Sequence, residues 1–127
     1  KWTKQLSELG IKIFAMSDTI GVSDPESIRS LFSSLIPHFP ELEIGAHLHT
    51  TSDTWKEKVE AAWNSGCRRF DSAIKGFGGC PMATDKLTGN MPTENVLSFL
   101  KEKKVESGVS EEKFQEAMKK AVFTFPS

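Results

Sequence analysis

Apolar residues along the chain occur either in short continuous runs or at intervals of three and four positions. The short runs are typical of buried strands, and the wider spacing is typical of helices that bury one face. Strands are predicted near residues 11–16, 43–49 and 67–73, and helices near residues 23–36, 53–65, 93–104 and 110–122. Strands that alternate with amphipathic helices form a parallel sheet with right-handed crossovers, so the pattern predicts an α/β fold.

Polar residues that favour helix starts precede each predicted helix, because their side chains can accept a hydrogen bond from the first turn. The predicted caps are Ser23, which opens a Ser-Asp-Pro-Glu capping box, Ser52 or Asp53, Thr93, and Ser110. Pro37 is expected to help stop the first of these helices.

The first nine residues carry Trp2, Leu6 and Leu9 at helical spacing, and Gly10 follows as a helix stop. The chain therefore opens in what we interpret as the end of a helix, which indicates a piece of a larger domain. Three parallel strands are also too few for a complete α/β domain. A (β/α)₈ TIM barrel takes about 250 residues, so we predict the C-terminal part of such a barrel, about its last three β/α units.

Composition limits the partners that the chain is expected to bind. Apolar residues make up 38% and charged residues 26%, as in ordinary globular domains, and the net charge is -1. Without a basic surface, nucleic acid and anionic membranes are not expected partners. No apolar run approaches the roughly 20 residues that span a bilayer. Cys67 and Cys80 are too few for a disulfide framework, which favours a reducing compartment, the cytoplasm or, in a eukaryote, the mitochondrial matrix.

His47 and His49 end the second predicted strand. Residues two positions apart on a strand project from the same face, so both imidazoles are expected at one site. At the C-terminal end of a barrel strand that site is the catalytic mouth. The pair alone fits two satisfied core histidines equally well. With Asn90 and Cys80 downstream, a divalent metal site is favoured, because imidazole nitrogens and an amide oxygen leave positions open for substrate.

The segment from Gly76 to Pro81 reads Gly-Phe-Gly-Gly-Cys-Pro, and Gly89-Asn90 follows it. Glycines let the backbone approach a ligand closely, and a mostly protonated thiol at Cys80 could give a proton to a carbanion. A small buried hydrophobe is the alternative for a cysteine, and it suits Cys67 better. Asn90 by residue type alone also fits a turn or a helix cap.

Asp18 follows the first predicted strand, again at the expected catalytic mouth. Its carboxylate could accept the proton of a substrate hydroxyl, or it could orient the residue that does. Turn or capping chemistry is the alternative.

Four segments, found in order between Met16 and Val96, resemble the C-terminal part of 3-hydroxy-3-methylglutaryl-CoA lyase. They are Ser-Asp-Thr-Ile-Gly-Val from Ser17, His-Leu-His from His47, Asp-Ser-Ala-Ile-Lys-Gly-Phe-Gly-Gly-Cys-Pro-Met-Ala from Asp71, and Thr-Gly-Asn-Met-Pro-Thr-Glu from Thr88. The Gly-Gly-Cys-Pro loop closed by Gly-Asn is the specific part, since His-x-His is shared with a wider superfamily of metal-dependent lyases.

The resemblance implies a TIM barrel that cleaves 3-hydroxy-3-methylglutaryl-CoA to acetyl-CoA and acetoacetate with Mg²⁺ or Mn²⁺. It implies His47, His49 and Asn90 as metal ligands and Cys80 as the catalytic thiol. Asp18 and Glu94 match acidic residues of the family that support the site. His47 and Asp18 are also the candidate bases.

The chain departs from the family pattern at three points. Thr50 stands where the family has an aspartate, and the interval from Cys80 to Asn90 is one residue longer than in the common form. The family's first-strand Asp-Arg-Glu motif is absent from the chain; it supplies a further metal ligand and an arginine that stabilises the developing enolate.

These observations predict a carbon–carbon lyase of the retro-Claisen type with an acyl-CoA substrate. The isolated chain is expected to be inactive without the N-terminal half of its barrel. One alternative is a related lyase or aldolase that acts on another hydroxyacyl or 2-oxo substrate. The other is an inactive fragment that associates with itself as a homo-oligomer, because the open sheet would expose apolar faces and strand edges.

Overall fold

The computed structural model describes residues 1–79 and 88–125 of the chain. In chain order the elements are α1 (Trp2–Glu8), β1 (Ile13–Asp18), α2 (Pro25–His38), β2 (Glu43–Thr50), α3 (Trp55–Asn64), β3 (Phe70–Asp71), a 3₁₀ turn (Ile74–Gly76), β4 (Gly89–Asn90), α4 (Thr93–Glu102) and α5 (Glu111–Thr124). Within the described ranges, every helix is too short or too polar to cross a membrane.

Three parallel strands form the sheet in the order β1-β2-β3. β1 pairs with β2 from Ile13 opposite Glu43 to Asp18 opposite Leu48. β3 adds only two residues, with Asp71 opposite His47. The antiparallel strand β4 pairs with the end of β2, and it was not predicted from the sequence. The parallel α/β architecture is confirmed.

β1 starts and ends two residues later than predicted, so Asp18 is its last residue rather than a loop residue. The third strand is much shorter than the predicted range of 67–73, and local hydrogen bonds explain this. The amide of Cys67 still bonds the carbonyl of Ala62 at the end of α3. Beyond Asp71, the amide of Ala73 bonds the carbonyl of Met91, so the chain has already left β2.

Of the predicted caps, Ser110 is confirmed, because its Oγ accepts from the amide of Lys113. α2 is capped by Asp24 rather than Ser23, through a reciprocal pair of bonds with Ser27. α3 and α4 begin after Thr54 and Pro92, neither of which makes a side-chain cap. Pro37 lies inside the last turn of α2.

The core lies between the helices and the sheet face that carries Ile44, Ala46 and Leu48. The largest fully buried side chains come from α2, α3, α4 and the segments that join them: Phe32, Val59, Cys67, Met91 and Phe99. α2 packs against α3, and the rings of Trp63 and of Phe99 on α4 make an edge-to-face contact with their centroids 5.8 Å apart. The opposite face of the sheet therefore carries the polar residues of the candidate site.

Candidate metal centre

His47 and His49 lie on the same face of β2, with ring centroids 5.4 Å apart. His49 is buried, whereas the side chain of His47 is 39% exposed. The alternation of side chains along a strand puts both rings on the face opposite the core. The two imidazoles are therefore placed together, as the sequence predicts.

The ring of His49 is fixed by the backbone of β1, because its Nδ1 lies 2.7 Å from the carbonyl oxygen of Asp18. A carbonyl can only accept a hydrogen bond, so Nδ1 carries the proton and donates it. Nε2 is then the ring nitrogen whose lone pair can bind a cation.

The ring of His47 is held in the same way by a carboxylate. Its Nδ1 lies 3.3 Å from Oδ2 of Asp71, the residue opposite it on β3. The other oxygen of Asp71 is 3.3 Å from Arg69, whose guanidinium also pairs with Glu43. Arg69 lies across Gly45, where an added Cβ would be 3.0 Å from its Cγ. Asp71 belongs to a matching segment, but the sequence assigned it no role.

Asn90 is the direct partner of His49 across the antiparallel pair of β2 and β4. Side chains of directly opposite residues share a face, so the amide belongs to the same site as the imidazoles. Nδ2 of Asn90 donates to the carbonyl of Phe77 at 2.9 Å. This bond engages the nitrogen with the protein, so Oδ1 is the amide atom that could bind a cation.

Glu94 supports the turn beside Asn90 and does not contact either histidine. Its Oε2 accepts from the amide of Lys75 at 2.9 Å. Lys75 is in the left-handed region with φ 57°, a conformation that costs energy for a residue with a side chain. The bond from Glu94 therefore stabilises the 3₁₀ turn.

Asp18 has its side chain on the other face of the sheet from the two histidines, since its register partner is Leu48. The amide and hydroxyl of Ser23 and the ammonium of Lys58 donate to its Oδ2. Burial alone would raise the pKa of Asp18, but these bonds and the positive charge of Lys58 hold it below the usual value. The geometry favours an orienting role for Asp18, and its role as a base stays a prediction.

Lys58 was not found by sequence reasoning, although a signal was available. It lies on α3 within the apolar stripe formed by Trp55, Val59 and Ala62, at a spacing that points it inward. The side chain is 3% exposed and its Nζ donates to three oxygens. A lysine on an apolar stripe of a predicted helix indicates a buried, paired charge.

Thr50, the residue that departs from the family pattern, is buried at the end of β2. Among residues 1–79 and 88–125, its Oγ1 is the one buried polar side-chain atom that has no hydrogen-bond partner.

Cys80, the predicted acid, lies outside the described residues. Cys67 is a fully buried thiol whose pKa is raised by burial, so it matches the small hydrophobe that the sequence predicts.

The donor set consists of two imidazole nitrogens and one amide oxygen. No group of three or more His, Cys, Asp and Glu side chains that could hold a metal occurs in the part of the chain that the structure describes. A hard or borderline divalent cation with open positions fits such a mixed set of nitrogen and oxygen donors. The two Nδ1 bonds are the outer contacts that metal-binding histidines ordinarily make.

Residues 1–120 match the model of the HMGL-like family. The chain belongs to the HMGL-like family. A hydroxymethylglutaryl-CoA lyase of Bacillus subtilis is 32% identical over 92% of this chain and 39% of that protein. The (R)-citramalyl-CoA lyase of Chloroflexus aurantiacus is 30% identical over 80% of this chain and 32% of that protein. The chain thus spans two fifths or less of the length of these relatives.

Solved structures give the same result for the fold of this member of the HMGL-like family. The HMG-CoA lyase of Bacillus subtilis superposes with a TM-score of 0.86 at 30% identity, over 98% of this chain and 43% of that one. An HMG-CoA lyase of Acinetobacter baumannii in complex with coenzyme A and 3-methylmalate superposes with a TM-score of 0.75 at 29% identity, over 87% of this chain and 36% of that one. The predicted fold class, part of a TIM barrel, is confirmed.

Proposed function

We propose that this chain forms part of the active site of a divalent-metal-dependent carbon–carbon lyase. The substrate is a 3-hydroxyacyl-CoA, with 3-hydroxy-3-methylglutaryl-CoA as the first candidate. The observation that carries the proposal is the state of the two histidines on β2, each of which has its Nδ1 engaged and its Nε2 left for a cation. Membership of the HMGL-like family supports the reaction class.

His47 and His49 would hold Mg²⁺ or Mn²⁺ through Nε2, and Asn90 would hold it through Oδ1. The cation would supply a Lewis acid and a template for the substrate oxygens. His47 can serve either as a ligand or as a base, because its second nitrogen is engaged with Asp71 and only one remains. Of the two candidate bases, only His47 lies on the face of the sheet that carries Asn90 and His49.

The reaction that we propose balances as a retro-Claisen cleavage. A base removes the proton of the substrate's tertiary hydroxyl, and the oxygen becomes the new carbonyl of acetoacetate. The C–C bond breaks, and its electron pair goes to the enolate of acetyl-CoA. The thiol of Cys80, proposed from the sequence alone, then gives its proton to that carbon.

We further propose that this activity needs the N-terminal part of a barrel, which holds the residues of the Asp-Arg-Glu motif. The chain spans 39% of its Bacillus subtilis relative, so two imidazoles and an amide are only part of a complete site. The acyl-CoA substrate is supported by the coenzyme A found in the Acinetobacter baumannii lyase complex.

Metal binding can be tested on the chain directly. Titration with Mn²⁺, followed by electron paramagnetic resonance of the free ion, should show one site that is lost in His47→Gln and in His49→Gln. His38→Gln is the matched control, because His38 lies at the exposed end of α2. Equal binding by all three variants would contradict the proposed ligands.

The reaction can be tested in a chimera in which this chain replaces the corresponding C-terminal segment of the Bacillus subtilis lyase. We expect Mn²⁺-dependent release of acetyl-CoA from 3-hydroxy-3-methylglutaryl-CoA, and little or none from this chain alone. The relative that acts on (R)-citramalyl-CoA favours a second candidate substrate. Turnover of citramalyl-CoA alone would replace the first candidate, and no turnover of either by a folded, metal-loaded chimera would contradict the proposal.

Self-association of the chain is also proposed, as the sequence predicts. The residues at and before the β1 edge are exposed, with Ile13 57% exposed and Leu9 80% exposed. Such exposed apolar residues at a strand edge favour pairing with a second chain. Sedimentation velocity at rising concentration should show dimers or larger species, and a single monomer throughout would contradict this.

A further inference from the structure

Lys58 makes three hydrogen bonds in a place that is closed to solvent. Its Nζ lies 3.0 Å from Oδ2 of Asp18, 3.0 Å from the carbonyl of Gly21 and 3.0 Å from the carbonyl of His49. An ammonium has three N–H donors, so every one of them is used. These acceptors belong to the end of β1, the loop after it and the end of β2.

The bonds of Lys58 form a closed circuit around His49. The backbone of His49 is held by Lys58 at its carbonyl. The ring of His49 is held at Nδ1 by the carbonyl of Asp18, whose carboxylate is in turn held by Lys58. The position of the residue and the rotation of its ring therefore depend on the same ammonium.

Gly21 extends the circuit to the strand that carries Asn90. Gly21 has φ +73°, and an added Cβ would be 2.5 Å from Cγ2 of Thr88, just before β4. The loop after β1 thus lies directly against the segment that leads into β4. By bonding the carbonyl of Gly21, Lys58 also holds this loop in place.

We propose that Lys58 is a positioning residue of the cation site. It fixes the backbone of His49 and, through Asp18, the acceptor that keeps the proton on Nδ1, so that Nε2 is presented to the cation. The inference rests on the proposed function as far as the cation is concerned, but the tautomer of His49 is independent of it. A lysine that only stabilised the fold would leave the tautomer of His49 and its metal affinity unchanged once stability was restored.

Substitutions at Lys58 and Asp18 must take account of the opposite charges that these two residues carry. Lys58→Met keeps the volume but leaves the carboxylate of Asp18 buried and unpaired, which is strongly destabilising. The double variant Lys58→Met with Asp18→Asn removes both charges and recovers stability, while the carbonyls of His49 and Gly21 still lack a donor. Lys56→Met is the matched control, because Lys56 lies two residues earlier on α3 and pairs with Glu102 at the surface.

The experiment combines nitrogen-15 spectroscopy of the histidine rings with Mn²⁺ titration. In the unaltered chain we expect His49 with its proton on Nδ1, and in the double variant a mixture of tautomers. His47 is the internal reference, because Asp71 holds it and Lys58 does not contact it. We expect Mn²⁺ affinity to fall about 10-fold or more in the double variant and to stay unchanged in Lys56→Met.

Two results would overturn the inference. One is a proton on Nε2 of His49 in the unaltered chain, which can be measured even if no variant folds. The other is a folded double variant with the tautomer and the Mn²⁺ affinity of the unaltered chain. If the unaltered chain binds no Mn²⁺, the proposed function fails, and the tautomers of His49 in the unaltered chain and the double variant still decide whether Lys58 orients the ring.

Discussion

Oδ2 of Asp71 lies 3.3 Å from Nδ1 of His47, across the parallel pair of β3 and β2. This contact explains why a strand of only two residues matters to the site. β3 brings the carboxylate to the level of the first histidine and leaves β2 immediately afterwards. The contact engages one of the two ring nitrogens of His47, so the proposed ligand role and the proposed base role of this residue exclude each other.

Replacement of Asp71 by alanine should weaken Mn²⁺ binding about 10-fold to 100-fold, the usual effect of removing an outer contact of a metal-binding histidine. The ring of His47 would lose the acceptor that selects its tautomer. Isothermal titration calorimetry of the chain measures this effect. Asp53→Ala is the control, because Asp53 is exposed and bonds only Ser52 among the described residues. Similar affinity in both variants would show that the contact with His47 does not orient the ring.

Replacement of Gly76 by alanine should disturb both the fold and the site. Gly76 has φ +64°, and an added Cβ would be 2.7 Å from the carbonyl oxygen of Asn90. The alanine would be strained by the left-handed backbone, and its Cβ would press on a backbone oxygen that cannot easily move. We expect these two effects together to lower the free energy of unfolding by about 3 kcal/mol or more. Urea denaturation measures this loss, and Mn²⁺ titration should show weaker binding.

Gly10→Ala is the matched control for that experiment. Gly10 also has a positive φ, +93°, but an added Cβ would meet nothing within 4 Å. The strain alone suggests a loss of about 1–2 kcal/mol, with metal affinity unchanged. Equal losses in the two variants would mean that the close approach to Asn90 has no energetic consequence.

The helices and the alternation of elements could be predicted because they depend on local patterns. Ser110 caps α5, and the pair of histidines shares a face, because both follow from residue type and spacing along one element. β4 could not be predicted, since two residues, Gly89 and Asn90, carry no periodicity and pair only because β2 provides an edge.

The contacts that orient the candidate site could not be predicted from the sequence either, for a different reason. Lys58 and Asp18 are 40 positions apart, and Asp71 and His47 are 24 apart. Such pairs depend on the register of the strands, and a shift of one residue reverses every side chain. Asp18 shows the effect: the prediction of a loop residue at the catalytic mouth left its face undetermined, whereas its place at the end of β1 puts its carboxylate against α3.

Cys67 should resist alkylation while the chain is folded. Its Sγ is buried and donates to the carbonyl of Arg69 at 3.2 Å, and burial raises the pKa of the thiol. The reactive thiolate is therefore scarce and out of reach. Mass spectrometry after iodoacetamide treatment at pH 8 should find Cys67 unmodified in buffer and modified in concentrated urea. Rapid labelling in buffer would contradict the buried position.

The same raised pKa predicts a loss of stability in alkali. An unfolded thiol ionises near pH 8.5, whereas the folded thiol stays neutral to higher pH. The unfolded chain therefore releases more protons above that value, and the free energy of unfolding should fall as the pH rises through this range. Cys67→Ala should remove this part of the pH dependence, which urea titrations between pH 8 and 10 would measure.

The lowered pKa of Asp18 predicts that the free energy of unfolding also falls in acid. Its folded pKa lies below the ordinary value near 3.9, so its ion pair with Lys58 stabilises the fold at neutral pH and is lost as the pH falls from about 5 through the folded pKa. Asp18→Asn leaves Lys58 buried and unpaired, which should cost about 3–5 kcal/mol at pH 7. The difference from the unaltered chain should narrow as the pH falls below about 5, because the unfolded carboxyl takes up a proton before the folded one does. Below the folded pKa of Asp18 the difference should be lost, because protonated Asp18 then leaves Lys58 unpaired in both chains.

The control for the acid experiment is Asp24→Asn. The pKa of Asp24 is also lowered, by hydrogen bonds from Ser27 at the start of α2, but Asp24 is exposed and asparagine caps a helix equally well. Asp24→Asn should therefore change the free energy of unfolding little at pH 7. If Asp18→Asn is as stable as Asp24→Asn at pH 7, the ammonium of Lys58 does not depend on Asp18. In that case the circuit around His49 is held by the two carbonyls alone.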